Sequence, residues 1–252
     1  DIWTNTLKDD GKWTVPVRVP GPINTDGNEE SVYIHPDNQT LYFSSDGHPG
    51  MGGLDIFMSR RQPDGQWGEP INLGYPINSS NDENSLLVSR DGRLAFFASD
   101  RPGGLGGLDI YSFELYEQAR PGKTTYVKGK VYDAVTKKPL VAEVEVVDLQ
   151  TGEVLSKQIS SKRNGEFLIC LPLNKNYAFN ASKSGYLFRS ENFELTGQKD
   201  FQPLLVSIPL SPIEKDSVVI LKNVFFETAK YDLKQESRIE LDKLVDFLTK
   251  NP

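Results

Sequence analysis

PINSSNDENSLLVSRDGRLAFFASDRPGGLGGLDIY, residues 76–111, aligns without a gap on PINTDGNEESVYIHPDNQTLYFSSDGHPGMGGLDIF, residues 22–57. Asp1, Asp55 and Asp109 are spaced 54 residues apart, and Gly11-Lys12-Trp13 falls on Gly65-Gln66-Trp67 at the same offset. One period running through three successive units is the mark of a repeat architecture. Within each unit, short apolar runs alternate with tight turns. Ser31–Ile34 and Ser85–Val88 read as strands, then turns at Pro36-Asp37-Asn38 and Arg90-Asp91-Gly92. Leu41–Phe43 and Leu94–Phe97 form the next strand, and a glycine-rich loop leads into Leu54–Phe57 and Leu108–Tyr111. The Trp67 segment, ending near Leu73, supplies an outer strand. Four strands per unit, repeated, predicts the blades of a β-propeller, which closes with about four to eight of them.

The glycine loops, Gly50 to Gly53 and Gly103 to Gly107, do not have the form of a phosphate loop. No GK[ST] follows, and each leads into a strand rather than a helix. They are expected to make a connection in which Gly53 and Gly107 take positive φ. Asp46 with Asp55, and Asp100 with Asp109, have the chemistry of calcium ligands, but their recurrence favours a blade-building role in turns. Trp13 and Trp67 recur at the period and are expected in the blade core, which weakens a reading of Trp3, Trp13 and Trp67 as a sugar platform.

The run from Ser89-Arg90-Asp91-Gly92 to Tyr111 resembles the PD40, or WD40-like, propeller repeat of TolB-type envelope proteins. The resemblance covers residues 1–116 and implies the C-terminal blades of a propeller. The first unit is already under way at Asp1, so the remaining blades are expected upstream.

Glu117–Lys123 is polar and turn-rich and reads as a linker. Beyond it Val127, Gly129 and Val131 alternate with polar residues, as do Val144 and Val146 with Glu143 and Glu145. About seven short strands over residues 125–211 predict a β-sandwich. Glu143 and Glu145 read as a solvated strand face, and Cys170 as a buried, inert thiol. Gly129–Asp133, Lys138-Pro139-Leu140, Thr151-Gly152, Gly165-Glu166-Phe167 and Gly185-Tyr186 are together similar to the carboxypeptidase regulatory-like domain, a transthyretin-like sandwich. That resemblance implies a spacer without catalytic residues.

After a second linker at Ser211–Asp216, Val218–Phe226 reads as a strand. From about Gln235 a helix is predicted, with Leu241, Leu244, Val245 and Leu248 on one face; Ser237 and Glu240 have capping-box spacing, and a start a few residues earlier stays open. NVFFETAKYDLKQESRIELDKLVDFLTKNP, within residues 218–252, resembles the opening of the OmpA-like peptidoglycan-binding domain, an α/β fold. The resemblance carries a ligand role only to Glu227 and Thr228, with Lys230 beside them. An ordinary loop role for these residues stays open. The principal ligand residues of that family lie beyond Pro252.

The formal charge of −7, without a basic stripe, excludes nucleic acid as a partner. His35 and His48 are the only histidines and lack metal-ligand spacing; no nucleophile elbow or HExxH is present. No catalytic residue, cofactor or metal is therefore expected. The order of the three modules resembles envelope proteins associated with type IX secretion. It implies a non-enzymatic scaffold at the periplasmic face of the outer membrane. Such a scaffold holds peptidoglycan through its C-terminal domain and other envelope proteins through its propeller. The alternative is a ligand- or sugar-binding propeller, or the non-catalytic part of an envelope hydrolase.

Overall fold

The computed structural model describes residues 1–6, 8, 12–195, 203–215, 218–224, 226, 231–233 and 235–250. The chain is mainly β, in several sheets that do not close on themselves. It divides into two compact units, Asp1–Thr124 and Thr125–Pro252.

The first unit contains three sheets. β1 (Trp3–Thr4) pairs antiparallel with β2 (Val17–Arg18). The middle sheet runs β3 (Glu29–Ile34), β4 (Thr40–Ser45), β5 (Asp55–Arg60) and β6 (Ile71–Asn72), in that order. A third sheet follows as β7 (Glu83–Val88), β8 (Leu94–Ser99) and β9 (Asp109–Glu114). The 54-residue identity extends to irregularities. Ser31 and Ser85 both take positive φ, at 49° and 58°, and each sits at a break in register with the following strand. The same bulge is thus built twice, by a residue type that tolerates positive φ only at some cost.

Alternation along β4 explains the cores. Leu41 and Phe43 point to one side, where they join Ile2, Val19, Ile23 and Phe57. Tyr42 points to the other, joining Ile56, Met58, Leu86, Val88 and Phe97. Both faces of the middle sheet are covered, so all of β4 is buried.

Residues Glu117–Lys123 do not behave as a free linker. A 3₁₀ turn over Glu117–Ala119 buries Ala119, whose carbonyl accepts from the Tyr42 hydroxyl at 2.6 Å. Arg60 donates to the Arg120 carbonyl at 2.6 Å, and the Gly122 amide donates to Asp37 at 2.7 Å. The polar, turn-rich composition reflects a strap whose backbone groups find partners on β4, on β5 and in the Asp37 turn before β4, rather than a solvated tether.

In the second unit, β10 (Thr124–Asp133), β11 (Glu143–Asp148), β12 (Val154–Ile159), β13 (Glu166–Pro172), β14 (Asn176–Ser182), β15 (Arg189–Glu194) and β16 (Leu204–Leu210) form two sheets. Their orders are β13-β10-β16 and β12-β11-β14-β15. Val127, Val131, Phe167, Ile169 and Ile208 of the first meet Val144, Val146, Tyr177 and Phe179 of the second in one core. Gly129 lets the Phe167 ring lie across β10, since a Cβ there would sit 2.0 Å from the ring. Asp133 accepts from the Val135 and Thr136 amides and from the Tyr186 hydroxyl at 2.8 Å.

Three expectations fail in this unit. Cys170 is exposed: with Phe167, Ile169 and Leu171 facing the core, strand alternation turns Cys170 outward. Partial desolvation against the sheet still raises its thiol pKa. Glu145 is buried rather than solvated, because α1 (Gln235–Lys250) lies over the outer face of the sheet and Lys243 pairs with it. Val218–Val224 form no strand, and Phe226 makes only an isolated bridge to Leu233. Strand propensity needs a partner ladder. Here the Lys222 amide and the Asn223 side chain are instead held by Glu240, at 3.2 and 3.1 Å. Ser237 and Glu240 lie inside α1, which begins at Gln235.

Candidate interaction surface

Side chains that recur at the repeat offset hold the loops of the first unit, mostly through bonds to backbone. The Asp109 carboxylate accepts from the Leu105 and Gly106 amides at 2.8 and 3.2 Å, and Asp55 does the same for Met51 and Gly52. Asp46 and Asp100 receive the Asn28 and Asp82 amides at 2.6 and 3.0 Å. The recurrent carboxylates are therefore loop clasps. Among the described residues, no group of three or more His, Cys, Asp or Glu side chains is arranged to hold a metal ion.

These clasps also correct the glycine expectation. Gly53 and Gly107 do not take positive φ; Gly103 does, at 97°. What demands glycine is proximity. A Cβ on Gly50 or Gly104 would meet the clasping carboxylate at 1.8 or 2.0 Å.

Deeper in each unit, Glu83 is fully buried and accepts from Ser79, Ser99 and Arg101. Glu29 repeats the arrangement with Thr25 and Ser45. Gly47 stands where the third repeat has Arg101, and His48 takes over a contact. Its ring nitrogen reaches the Ile23 carbonyl at 2.9 Å, as Arg101 reaches Ile77. His35 is buried beside Asp37, 3.4 Å from its carboxylate. Burial would raise the Asp37 pKa, but the His35 ring, the Gln39 and Gly122 amides and Thr40 outweigh it and hold the carboxyl below its ordinary value.

Successive sheets are joined by a second recurrent set. Asn78 grips Ile56 through both its amide and carbonyl, at 2.8 and 2.9 Å, and Asn24 grips Ile2 in the same way. Asp82 accepts the Leu54 amide at 2.9 Å. The loop at Gly52 and Gly53 packs so tightly on the following unit that a Cβ would lie 2.3 Å from the Asn81 carbonyl or 2.2 Å from Asp82.

On the third sheet the same positions are open. Tyr42 and Ile56 are 0% exposed, whereas Phe96 and Ile110, which repeat them, are 39% and 82% exposed. Leu94 is exposed where Thr40 is buried. Gly106 and Gly107, which repeat Gly52 and Gly53, meet nothing within 4 Å. No asparagine among the described residues grips Ile110. The outer face of β8 and β9 thus carries the side chains of a covered interface without its cover.

The tryptophans divide. Trp67 is half-buried against the Ile2–Phe43 core, with the Arg61 guanidinium 4.8 Å above its ring. Trp13 is 62% exposed, so recurrence does not make it core. A recurrent residue is buried only where a second layer reaches it. Glu227, Thr228 and Lys230 lie outside the described residues. Among the described residues, no helix is long and apolar enough to cross a membrane, which leaves β-barrels unaddressed. The open face itself was not foreseen from sequence, although its signal was present: Gly106, Gly107 and Ile110 repeat residues of a covered interface.

No family model matches the chain, and no curated protein matches it. Solved structures with partial likeness include the TIE protein of Bacillus anthracis, at 9% identity and a TM-score of 0.31, over 84% of this chain and 49% of that one. The C-terminal fragment of the pilus adhesin SpaC from Lactobacillus rhamnosus GG has 13% identity and a TM-score of 0.31, over 69% and 77%. A 3-chlorocatechol 1,2-dioxygenase from Rhodococcus opacus has 12% identity and a TM-score of 0.29; the chain spans 61% of its length. Likenesses this distant carry no argument about function.

Proposed function

We propose that this chain is a non-enzymatic scaffold piece of a bacterial cell envelope. Its first unit supplies the last blades of a PD40-type propeller that serves as a protein-docking platform. A transthyretin-like sandwich and the opening of an OmpA-like peptidoglycan-binding domain follow it. The blade reading is supported by one observation: Phe96, Ile110, Gly106 and Gly107 are open where the next sheet covers Tyr42, Ile56, Gly52 and Gly53, as on a blade that packs against a neighbour; the docking role rests on the sequence resemblances. The clasping carboxylates support the blade reading, because Asp55 and Asp109 hold the same loop at the same place in successive repeats. The peptidoglycan and type IX secretion readings rest on the sequence resemblances quoted above.

Sedimentation with isolated peptidoglycan tests the tether. The 252-residue chain is expected to stay largely in the supernatant, and a version extended through a whole C-terminal domain to pellet with the sacculi. An extended version that folds yet remains in the supernatant overturns the tether.

A further inference from the structure

In the second unit a cleft of about 460 Å³ lies between α1 and the outer face of the β12-β11-β14-β15 sheet. Small-molecule sites commonly occupy roughly 300–1,000 Å³. One wall is apolar: Phe188 is buried, and its ring centre lies 5.5 Å from that of Phe247. The other groups form a charge pattern. Glu145 is matched by Lys243, and Glu143 by Lys157 at 3.1 Å. Two lining charges of opposite sign remain, Lys183 from the turn after β14 and Asp246 from α1, and neither forms an ion pair among the described residues.

Asn180 adds an independent sign of a missing partner. It lines the cleft, is 5% exposed, and accepts from the Ser190 hydroxyl through Oδ1, while its Nδ2 has no hydrogen-bond partner. A buried donor left unpaired is costly. An incoming oxygen acceptor relieves that cost.

We infer that this cleft binds a small zwitterion with an apolar side chain, the size of an amino acid or dipeptide. The ammonium of the ligand sits at Asp246, its carboxylate at Lys183 and the Asn180 amide, and its side chain against Phe188 and Phe247. Such a ligand satisfies both unpaired charges at once, which a simple anion or cation does not. The assignment is independent of the tether reading.

Titration calorimetry of the full chain with the dipeptide alanyl-phenylalanine tests it, alongside the N-acetylated and C-amidated forms. Saturable binding of the free dipeptide is expected, about tenfold weaker once either end is capped. Asp246→Asn is expected to weaken the free dipeptide about tenfold while leaving the N-acetylated form unchanged; Lys183→Gln does the same relative to the amide. Absence of saturable binding, or capped forms that bind as tightly as the free dipeptide, overturns the proposal. The capping comparison needs no variant, so it stands even if a substitution disturbs folding.

Discussion

Gly52 and Gly106 are the same residue at the same place in the repeat, and they should respond in opposite ways to substitution. An alanine Cβ at Gly52 would press on the Asn81 and Ser79 carbonyls at 2.3 and 2.7 Å. Gly52→Ala is therefore expected to cost about 1–3 kcal/mol by overpacking against backbone. Gly106→Ala meets nothing within 4 Å and should stay within about 0.5 kcal/mol. Urea denaturation of the two variants decides it; equal costs would refute the packing account. Asp37 makes a prediction about pH. Its folded pKa lies below its unfolded value, so on acidification the unfolded chain takes up the proton first. The stabilisation is complete above the unfolded carboxylate pKa, near about 4. It is lost as pH falls through the lower, folded value. Asp37→Asn should flatten the stability–pH curve of the first unit in that acid range, measured by urea midpoints. An unchanged slope would remove Asp37 as its source.

At the scale of elements, β5 and β9 share the pattern Asp-Ile-aromatic but differ in what lies above them. Ile56→Ala should cost about 2–5 kcal/mol, the usual range for a buried aliphatic truncation. Ile110→Ala, on the open face, should be nearly neutral. A longer protein carrying a further repeat against β9 should reverse the second result. Chemical denaturation of both lengths checks this, and a costly Ile110→Ala in the 252-residue chain would show that the face is already covered. Helix α1 is held by polar contacts as much as by its apolar side, since Val245 and Leu248 are exposed. Glu240 is buried and receives both the Lys222 amide and Asn223. Glu240→Ala strands these donors, at about 1–3 kcal/mol for the buried groups left unpaired. It should speed amide hydrogen exchange in α1 before it affects β10–β16. Unchanged protection of α1 would mean that other contacts hold the helix.

For the whole molecule, two units with separate cores imply separable behaviour. The strap over Glu117–Gly122 belongs to the first unit through Tyr42, Arg60 and Asp37. Cutting the chain before residue 117 should therefore destabilise the first unit, whereas cutting after residue 124 should not. Calorimetric melting of the two fragments separates these cases, and equal melting temperatures would return residues 117–123 to the role of a simple linker.

Period, strand alternation and turn chemistry are local properties, and they were legible in the sequence. The 54-residue repeat, the strands at Glu29–Ile34 and Leu94–Ser99, the seven strands of the second unit and the helix from Gln235 all follow from them. Burial was not legible, because it depends on what covers a face. Phe96 and Tyr42 occupy one position of one pattern, yet only a neighbouring sheet makes Tyr42 core. Cys170 sits within an apolar run but on its outward side, and Glu145 alternates like a solvated residue until α1 lies over it. Nor could composition tell a tether from a strap at Glu117–Lys123, since both are polar and rich in turn residues. Only the tertiary structure decided these points: a side chain's own chemistry sets its preference, while the second layer, many residues away in sequence, determines whether water reaches it.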